Sequence, residues 1–288
     1  MNNTGQKRLV IEPVTRVEGH GKVSILLDED NRVTQTRLHI VEFRGFERFI
    51  QGRPYWEVPV LVQRLCGICP VSHHLCAAKA MDRIVGGEKL TPTAEKIRRL
   101  MHYGQTFQSH ALHFFHLASP DLLFGFDADV AERNVIGVAA EYPELAKQGI
   151  LMRKFGQEII RATAGKKIHG TGAVPGGVNK NLSIADRDEF LTQVDQMMAW
   201  AEGAVRVAAD YTTENLAIAA PFGSFDSNHL SIVAHDGALD LYDGNLRAID
   251  SRGNAVFDQV DPQNYRKMIA EEVRPWSYMK FPFIRSLG

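Results

Sequence analysis

Three cysteines, Cys66, Cys69 and Cys76, fall within eleven residues of an otherwise cysteine-free chain. The first two stand in Arg64-Leu65-Cys66-Gly67-Ile68-Cys69-Pro70-Val71-Ser72-His73-His74. Two thiols three positions apart bring their sulfurs to one side of a tight turn or a helical turn, where both can hold one metal. Pro70 suits the first turn of a helix over 71–85. The cysteines then sit at its N-terminal end, where the helix dipole favours thiolate over thiol. His73, four residues after Cys69, is within reach of a sulfur. Several chemistries compete for the pair. A c-type haem wants His directly after the second Cys, and Pro70 stands there; a thioredoxin-like pair wants a βαβ setting. Zinc could draw on Cys66, Cys69, His73 and Cys76, a strained set of four ligands in eleven residues. Three buried structural cysteines are the plain alternative.

Two charged segments precede the cysteines, Ile11-Glu12-Pro13-Val14-Thr15-Arg16-Val17-Glu18-Gly19-His20 and Phe43-Arg44-Gly45-Phe46-Glu47. Each taken alone reads as a strand edge or turn with solvated charges. His102, His110, His113 and His116 lie along one helical stretch, and His113 and His116 share a face. They read as packed, hydrogen-bonded residues of an amphipathic helix more readily than as ligands.

The elements that must position these groups follow from periodicity. Segments 9–11, 22–27 and 33–41 read as strands of an N-terminal β-hairpin or meander, with a turn at 28–31. Thr91-Pro92 starts a long helix, which the spacing carries through Ile97, Leu100, Tyr103, Phe107, Ala111, Phe114 and Phe115 to Ser119-Pro120, roughly 42 Å at the α-helical rise. A second helix is expected over 144–164, stopped at Gly165, and a third from the cap Ser183 to 209. Between them runs the glycine-rich loop Gly170-Thr171-Gly172-Ala173-Val174-Pro175-Gly176-Gly177-Val178-Asn179, of a kind that is usually functional or interfacial. Segment 218–260 returns to strand character, and 262–273 reads as a last short helix. The fold class is α+β, predominantly helical, with long core helices and a small antiparallel sheet inserted near 216–260.

Composition narrows the class. The 288 residues carry 33 Lys+Arg against 34 Asp+Glu, and 44% are hydrophobic. That near-neutral balance argues against nucleic acid, and the apolar content argues against disorder. No segment approaches the ~18 apolar residues of a membrane span. Clustered cysteines, with no signal-peptide pattern in Met1 to Arg8, point to a reducing compartment, the cytoplasm.

Taken together, the motifs resemble the large, catalytic subunit of NiFe hydrogenases, in the family's order along the chain. The family's opening pattern stands as Pro13-Val14-Thr15-Arg16-Val17-Glu18-Gly19-His20. Its Arg-Gly-x-Glu stands as Arg44-Gly45-Phe46-Glu47, and its first metal motif runs from Arg64 to His73. Its Val-Pro-Gly-Gly is Val174-Pro175-Gly176-Gly177, preceded by His169. The doublet His73-His74 and Trp276-Ser277-Tyr278-Met279-Lys280-Phe281-Pro282 look most like the NAD-reducing, bidirectional branch. The resemblance implies a catalytic subunit for reversible oxidation of H2 to protons and electrons. It makes Cys66 a terminal nickel thiolate, Cys69 a thiolate bridging nickel and iron, and Glu18 the first protein acceptor of the departing proton. Glu47 becomes a magnesium ligand, and His73 a donor to a cysteine sulfur. His169 faces an iron–sulfur cluster of the partner, and Cys76 is a buried structural residue. The iron carries CO and cyanide. Fe-S clusters, NAD and flavin reside on partner subunits, namely an iron–sulfur small subunit together with diaphorase subunits.

The family completes its metal site with a second Cys-x-x-Cys, and no cysteine follows Cys76. Residues 1–288 therefore read as the N-terminal portion of such a subunit. Two rivals remain: a nickel-free scaffold or quinone-site subunit, as in respiratory complex I, whose relative of this fold lacks the first cysteine pair, and a zinc-binding structural domain.

Overall fold

Strands β1 (Lys7–Ile11), β2 (Gly21–Leu27) and β3 (Val33–Ile40) form an antiparallel meander in that order, with Leu9 opposite Ile25 and Ile25 opposite Thr36. The Asp28 carboxylate closes the β2–β3 turn by accepting the N–H groups of Asp30 and Arg32. This computed structural model describes residues 7–42 and 44–288. The first six residues, including most of the N-terminal stretch read above for a signal peptide, and Phe43 lie outside them. A one-turn helix α1 (Phe46–Phe49) follows the meander.

The chain then builds a separate compact unit, Ile50–Ser224, before returning to the first unit with Phe225–Gly288. The separate unit holds α2 (Val58–Val62), α3 (Pro70–Val85), α4 (Pro92–Leu112), α5 (Ser119–Phe124), α6 (Val135–Glu141) and α7 (Pro143–Ala164). A two-residue hairpin, β4 (Ala173–Val174) and β5 (Gly177–Val178), precedes α8 (Ile184–Leu191), α9 (Val194–Glu214) and α10 (Leu216–Ala219). In the returning segment, β6 (His229–Val233), β7 (Asn245–Ile249) and β8 (Ala255–Val260) form the small antiparallel sheet. A single turn, α11 (Tyr265–Met268), leads into the pair β9 (Ile269–Val273) and β10 (Lys280–Ile284). The architecture is α+β with the long helices in one unit.

Local chemistry sets the helix ends. Thr91 Oγ1 accepts the Ala94 N–H and Ser183 Oγ accepts the Asp186 N–H, each covering an orphan donor of a first turn. Gly86 (φ 70°) and Gly165 (φ 84°) close α3 and α7 in the left-handed conformation that a Cβ disfavours.

Three expectations give way. Pro120 does not end the long helix. The chain widens into a π-helical stretch, His113–Ala118, and Pro120 enters the first turn of α5, where its missing N–H is harmless. The expected third helix is two, α8 and α9, separated at Thr192 and Gln193. The Thr192 hydroxyl caps the Glu189 carbonyl there, and the backbone turns. Segment 262–273 is a 3-10 turn and α11, then the strand β9, because Ile269–Val273 has β10 to pair with.

In the helical unit α4 lies against α7 in backbone contact. A Cβ on Gly156 would stand 2.6 Å from the Gly104 carbonyl oxygen, so both glycines permit the approach. Val71, Leu75 and Ala78 of α3 pack with Met101, Ile160, Ala164 and Ala173. The buried face of α4 includes Arg98, Gln105 and Gln108, whereas Tyr103, expected inward, is exposed.

Arg98 explains part of that face. Its guanidinium is fully buried and makes a bidentate pair with Asp82 of α3, at 2.6 and 3.1 Å. The remaining donors reach Gly177 O at 3.0 Å and Val174 O at 2.7 Å, while Asp82 also accepts the Gly176 N–H at 2.6 Å. The Val174-Pro175-Gly176-Gly177 loop is thus seated on a buried ion pair. Arg98→Met strands the Asp82 charge and is expected to cost about 3–5 kcal/mol, the usual effect of removing one member of a buried pair. Urea unfolding of the two chains measures it.

Candidate metal-thiolate site

Cys66 ends a 3-10 turn, Gln63–Leu65, in extended conformation, and Cys69 occupies the N-cap of α3 with Pro70 behind it. The chain reverses between them. The N–H groups of Ile68 and Cys69 both point at Cys66 Sγ, at 3.3 and 3.2 Å. Cys66 is buried and Cys69 half-buried, and neither is in a disulfide. Two backbone donors on one sulfur fix its orientation beside the N-terminus of α3.

The loop is gripped from outside as well. His169, at φ 55°, brings Nε2 to 3.1 Å from the Cys66 carbonyl oxygen. Gln105 and Gln108 of α4 both donate Nε2–H to the Ile68 carbonyl oxygen, at 3.0 and 2.9 Å. One face of α4 could have revealed these glutamines, since polar residues at 98, 105 and 108 interrupt the apolar stripe. Nothing in the spacing told which backbone group they meet.

The histidine doublet divides its labour. His74 is buried; its Nδ1 lies 2.8 Å from Pro59 O and its Nε2 accepts the Ala173 N–H at 3.0 Å, so it is neutral with the proton on Nδ1. It clamps α2 to the glycine-rich loop, and burial pushes its pKa below the ordinary value. His73 is half-buried on the first turn of α3. Desolvation lowers its pKa too, and among the described contacts it makes no hydrogen bond to a cysteine sulfur.

Cys76 is not buried, against expectation. The inward stripe of α3 runs Val71, His74, Leu75, Ala78 and Asp82, and position 76 falls off that arc. Among the described residues no cluster of three or more His, Cys, Asp or Glu is placed to hold a metal. Cys66, Cys69, His73 and Cys76 are thus not brought together as the zinc reading requires. His110 instead bonds Thr106 O within its own helix, and His113 is exposed.

Glu18 and Glu47 belong to the first unit. Glu18 lies on the exposed 12–20 loop and accepts the Gly19 N–H at 2.7 Å. Nearby, His20 pairs with Glu42, which raises its pKa. Glu47 is ion-paired with Arg44, which holds its carboxyl below the usual range, and Lys280 Nζ stands 3.7 Å away. Two cations around one carboxylate do not fit a magnesium site. The two thiols do fit a soft, low-valent metal. The Trp276 motif serves the first unit: His39 bridges Ser24 Oγ (2.8 Å) and Trp276 O (2.7 Å), and Ser277 Oγ accepts the Ile40 N–H.

A helical α+β scaffold that aims two backbone donors at one of two helix-capping cysteines suits thiolate ligation of a transition metal. Residues 44–148 match the family model described as nickel-dependent hydrogenase, and residues 8–43 one described as HoxL-like. The chain belongs to the large-subunit family of nickel-dependent hydrogenases. It is 48% identical over 293 residues to the NAD-reducing hydrogenase HoxS subunit beta of Cupriavidus necator, covering 98% of this chain and 60% of that protein. It is 43% identical to a subunit of the vhu F420-non-reducing hydrogenase of Methanocaldococcus jannaschii, covering 98% of this chain and 66% of that one. The crystal structure of an NAD+-reducing NiFe hydrogenase in its H2-reduced state superposes with a TM-score of 0.94 at 61% identity, over 98% of this chain and 62% of that chain. This chain thus spans about 60% of the length of such relatives. Among the described residues no helix is long and apolar enough to cross a membrane.

The buried neutral imidazole makes a pH prediction. Above the ordinary His value of 6.5 His74 is neutral folded or unfolded. Below 6.5 the unfolded chain binds a proton that the folded chain excludes, so stability falls until the pH passes the lowered folded value. Urea midpoints measured from pH 7.5 downward should drop, and drop less steeply in His74→Gln, with His73 and His116 adding to the fall and the Glu42-paired His20 opposing it.

Proposed function

We propose that this chain is the N-terminal portion, residues 1–288, of the catalytic subunit of a NiFe hydrogenase that oxidises H2 reversibly and passes electrons toward NAD. The observation that carries the reading is the Cys66–Cys69 loop, with both N–H groups on Cys66 Sγ. The 48% identity to a NAD-reducing hydrogenase subunit supports the branch, and the family likeness favours hydrogenase over the quinone-site and zinc readings. In this assignment Cys66 would hold nickel as a terminal thiolate and Cys69 would be the thiolate shared by nickel and iron; the rest of the sphere, with CO and cyanide on iron, would come from outside these residues. When bound, the metal pair supplies heterolytic cleavage of H2. The chain's own residues then serve the products. Glu18, a carboxylate within the 12–20 loop, takes the proton. The pinned Cys66 loop holds its sulfur in one orientation through turnover, and His73 stands beside the loop to donate to a sulfur once the site is assembled.

His169 and the loop it anchors face the iron–sulfur small subunit, which carries the electrons away. NAD, flavin and further clusters sit on diaphorase partners, since this chain has no Gly-x-Gly-x-x-Gly after a strand. Clustered thiols free of disulfides favour the cytoplasm. A magnesium ion at Glu47 would have to displace Arg44 and recruit donors from outside this chain.

Metal analysis of the complex isolated through this chain tests the reading. Nickel and iron are expected, with nickel lost in Cys66→Ser. Zinc without nickel would sink the assignment. Glu18→Gln should keep its nickel while H2 oxidation falls about 10²–10⁴-fold, the usual range for losing a proton-transfer group; unchanged turnover excludes Glu18 from the proton path.

A further inference from the structure

Gln105 and Gln108 sit three apart on one face of α4, and both are almost wholly buried, at 2% and 4% exposure. Their side-chain amides converge on a single acceptor, the Ile68 carbonyl, whose two lone pairs accommodate two donors. That carbonyl belongs to the peptide unit whose N–H is Cys69 N, the group 3.2 Å from Cys66 Sγ. Each donor on the oxygen polarises the peptide and strengthens its N–H as a donor on the far side. The arrangement also has a cost. Gln105 Oε1 is buried with no hydrogen-bond partner among the described residues, which an apolar side chain of similar volume would avoid.

We propose that Gln105 and Gln108 are positioning residues that act through the Ile68–Cys69 peptide to hold its N–H on the Cys66 sulfur and thereby lower the electron density this thiolate gives to its metal. The proposal rests on the ligand role of Cys66 set out above. A hydrogen bond to a ligating sulfur withdraws charge from it and favours the reduced metal, so the two amides tune the site from a layer that touches neither metal nor substrate.

The first readout needs no metal. In the full chain labelled with 15N-cysteine only the amides of Cys66, Cys69 and Cys76 are visible, and Cys76, on the exposed side of α3, reports that the helix stays folded. In Gln108→Leu the Cys69 amide proton is expected to move upfield and to exchange faster by about an order of magnitude, while Cys76 holds its place. Gln105→Met asks the same question if Gln108→Leu does not fold. A Cys69 amide unmoved in a folded variant overturns the clamp. The second readout is the midpoint potential of the nickel centre in the assembled complex, expected to become more negative in the same variants. A moved amide with an unmoved potential overturns the electronic role. Absence of nickel from the wild-type complex is a different failure, that of the ligand assignment, and the amide measurement then judges the clamp by itself.

Discussion

The buried pairing of Arg98 with Asp82 is the interaction on which the geometry around the cysteines depends. A charge taken out of water is tolerable only when every donor finds an acceptor. Arg98 meets this by binding α3 through Asp82 and the glycine-rich loop through two carbonyls, and Asp82 returns a bond to the Gly176 N–H. Three segments far apart in sequence are thereby fixed to one another. The approach leaves no room for a side chain at Gly87, where a Cβ would stand 3.0 Å from Gly176 Cα. Gly176 itself has open space around that position, and its φ of 81° is what calls for glycine there.

From that anchor the thiolate loop is held on successive levels. His74 ties α2 to the backbone at Ala173, His169 reaches back from the end of the glycine-rich segment to the Cys66 carbonyl, and the α4 glutamines take the Ile68 carbonyl. The sulfur of Cys66 is therefore oriented by backbone groups that are themselves immobilised. A loop ordered in this way would present its thiols to a metal already organised, so less ordering entropy would oppose binding.

Much of this was legible in the residues. The caps at Thr91 and Ser183, the stop at Gly165, the meander and the helix behind Pro70 follow from local propensities, because a capping hydroxyl, a proline ring or a left-handed glycine acts within one turn of its own position. The Cys-x-x-Cys spacing placed two thiols on one tight turn at the start of α3 for the same local reason. The misreadings share a cause. Ile269–Val273 became a strand because the later segment Lys280–Ile284 pairs with it, and Cys76 faces outward because the α3 stripe is set by what packs on it. Neither partner is visible from a window around the residue.

Residue order alone therefore settled the helix and strand boundaries that local bonds decide, the class of fold, and the thiol pair with its kinship. Tertiary structure decided which polar residues turn inward and what they hold: Arg98 under the glycine-rich loop, His74 between two backbone segments, and Gln105 and Gln108 on one carbonyl. The physical reason is burial. A polar side chain goes inside only where folding delivers a partner of matching geometry, and such partners lie from 15 to 99 positions away here.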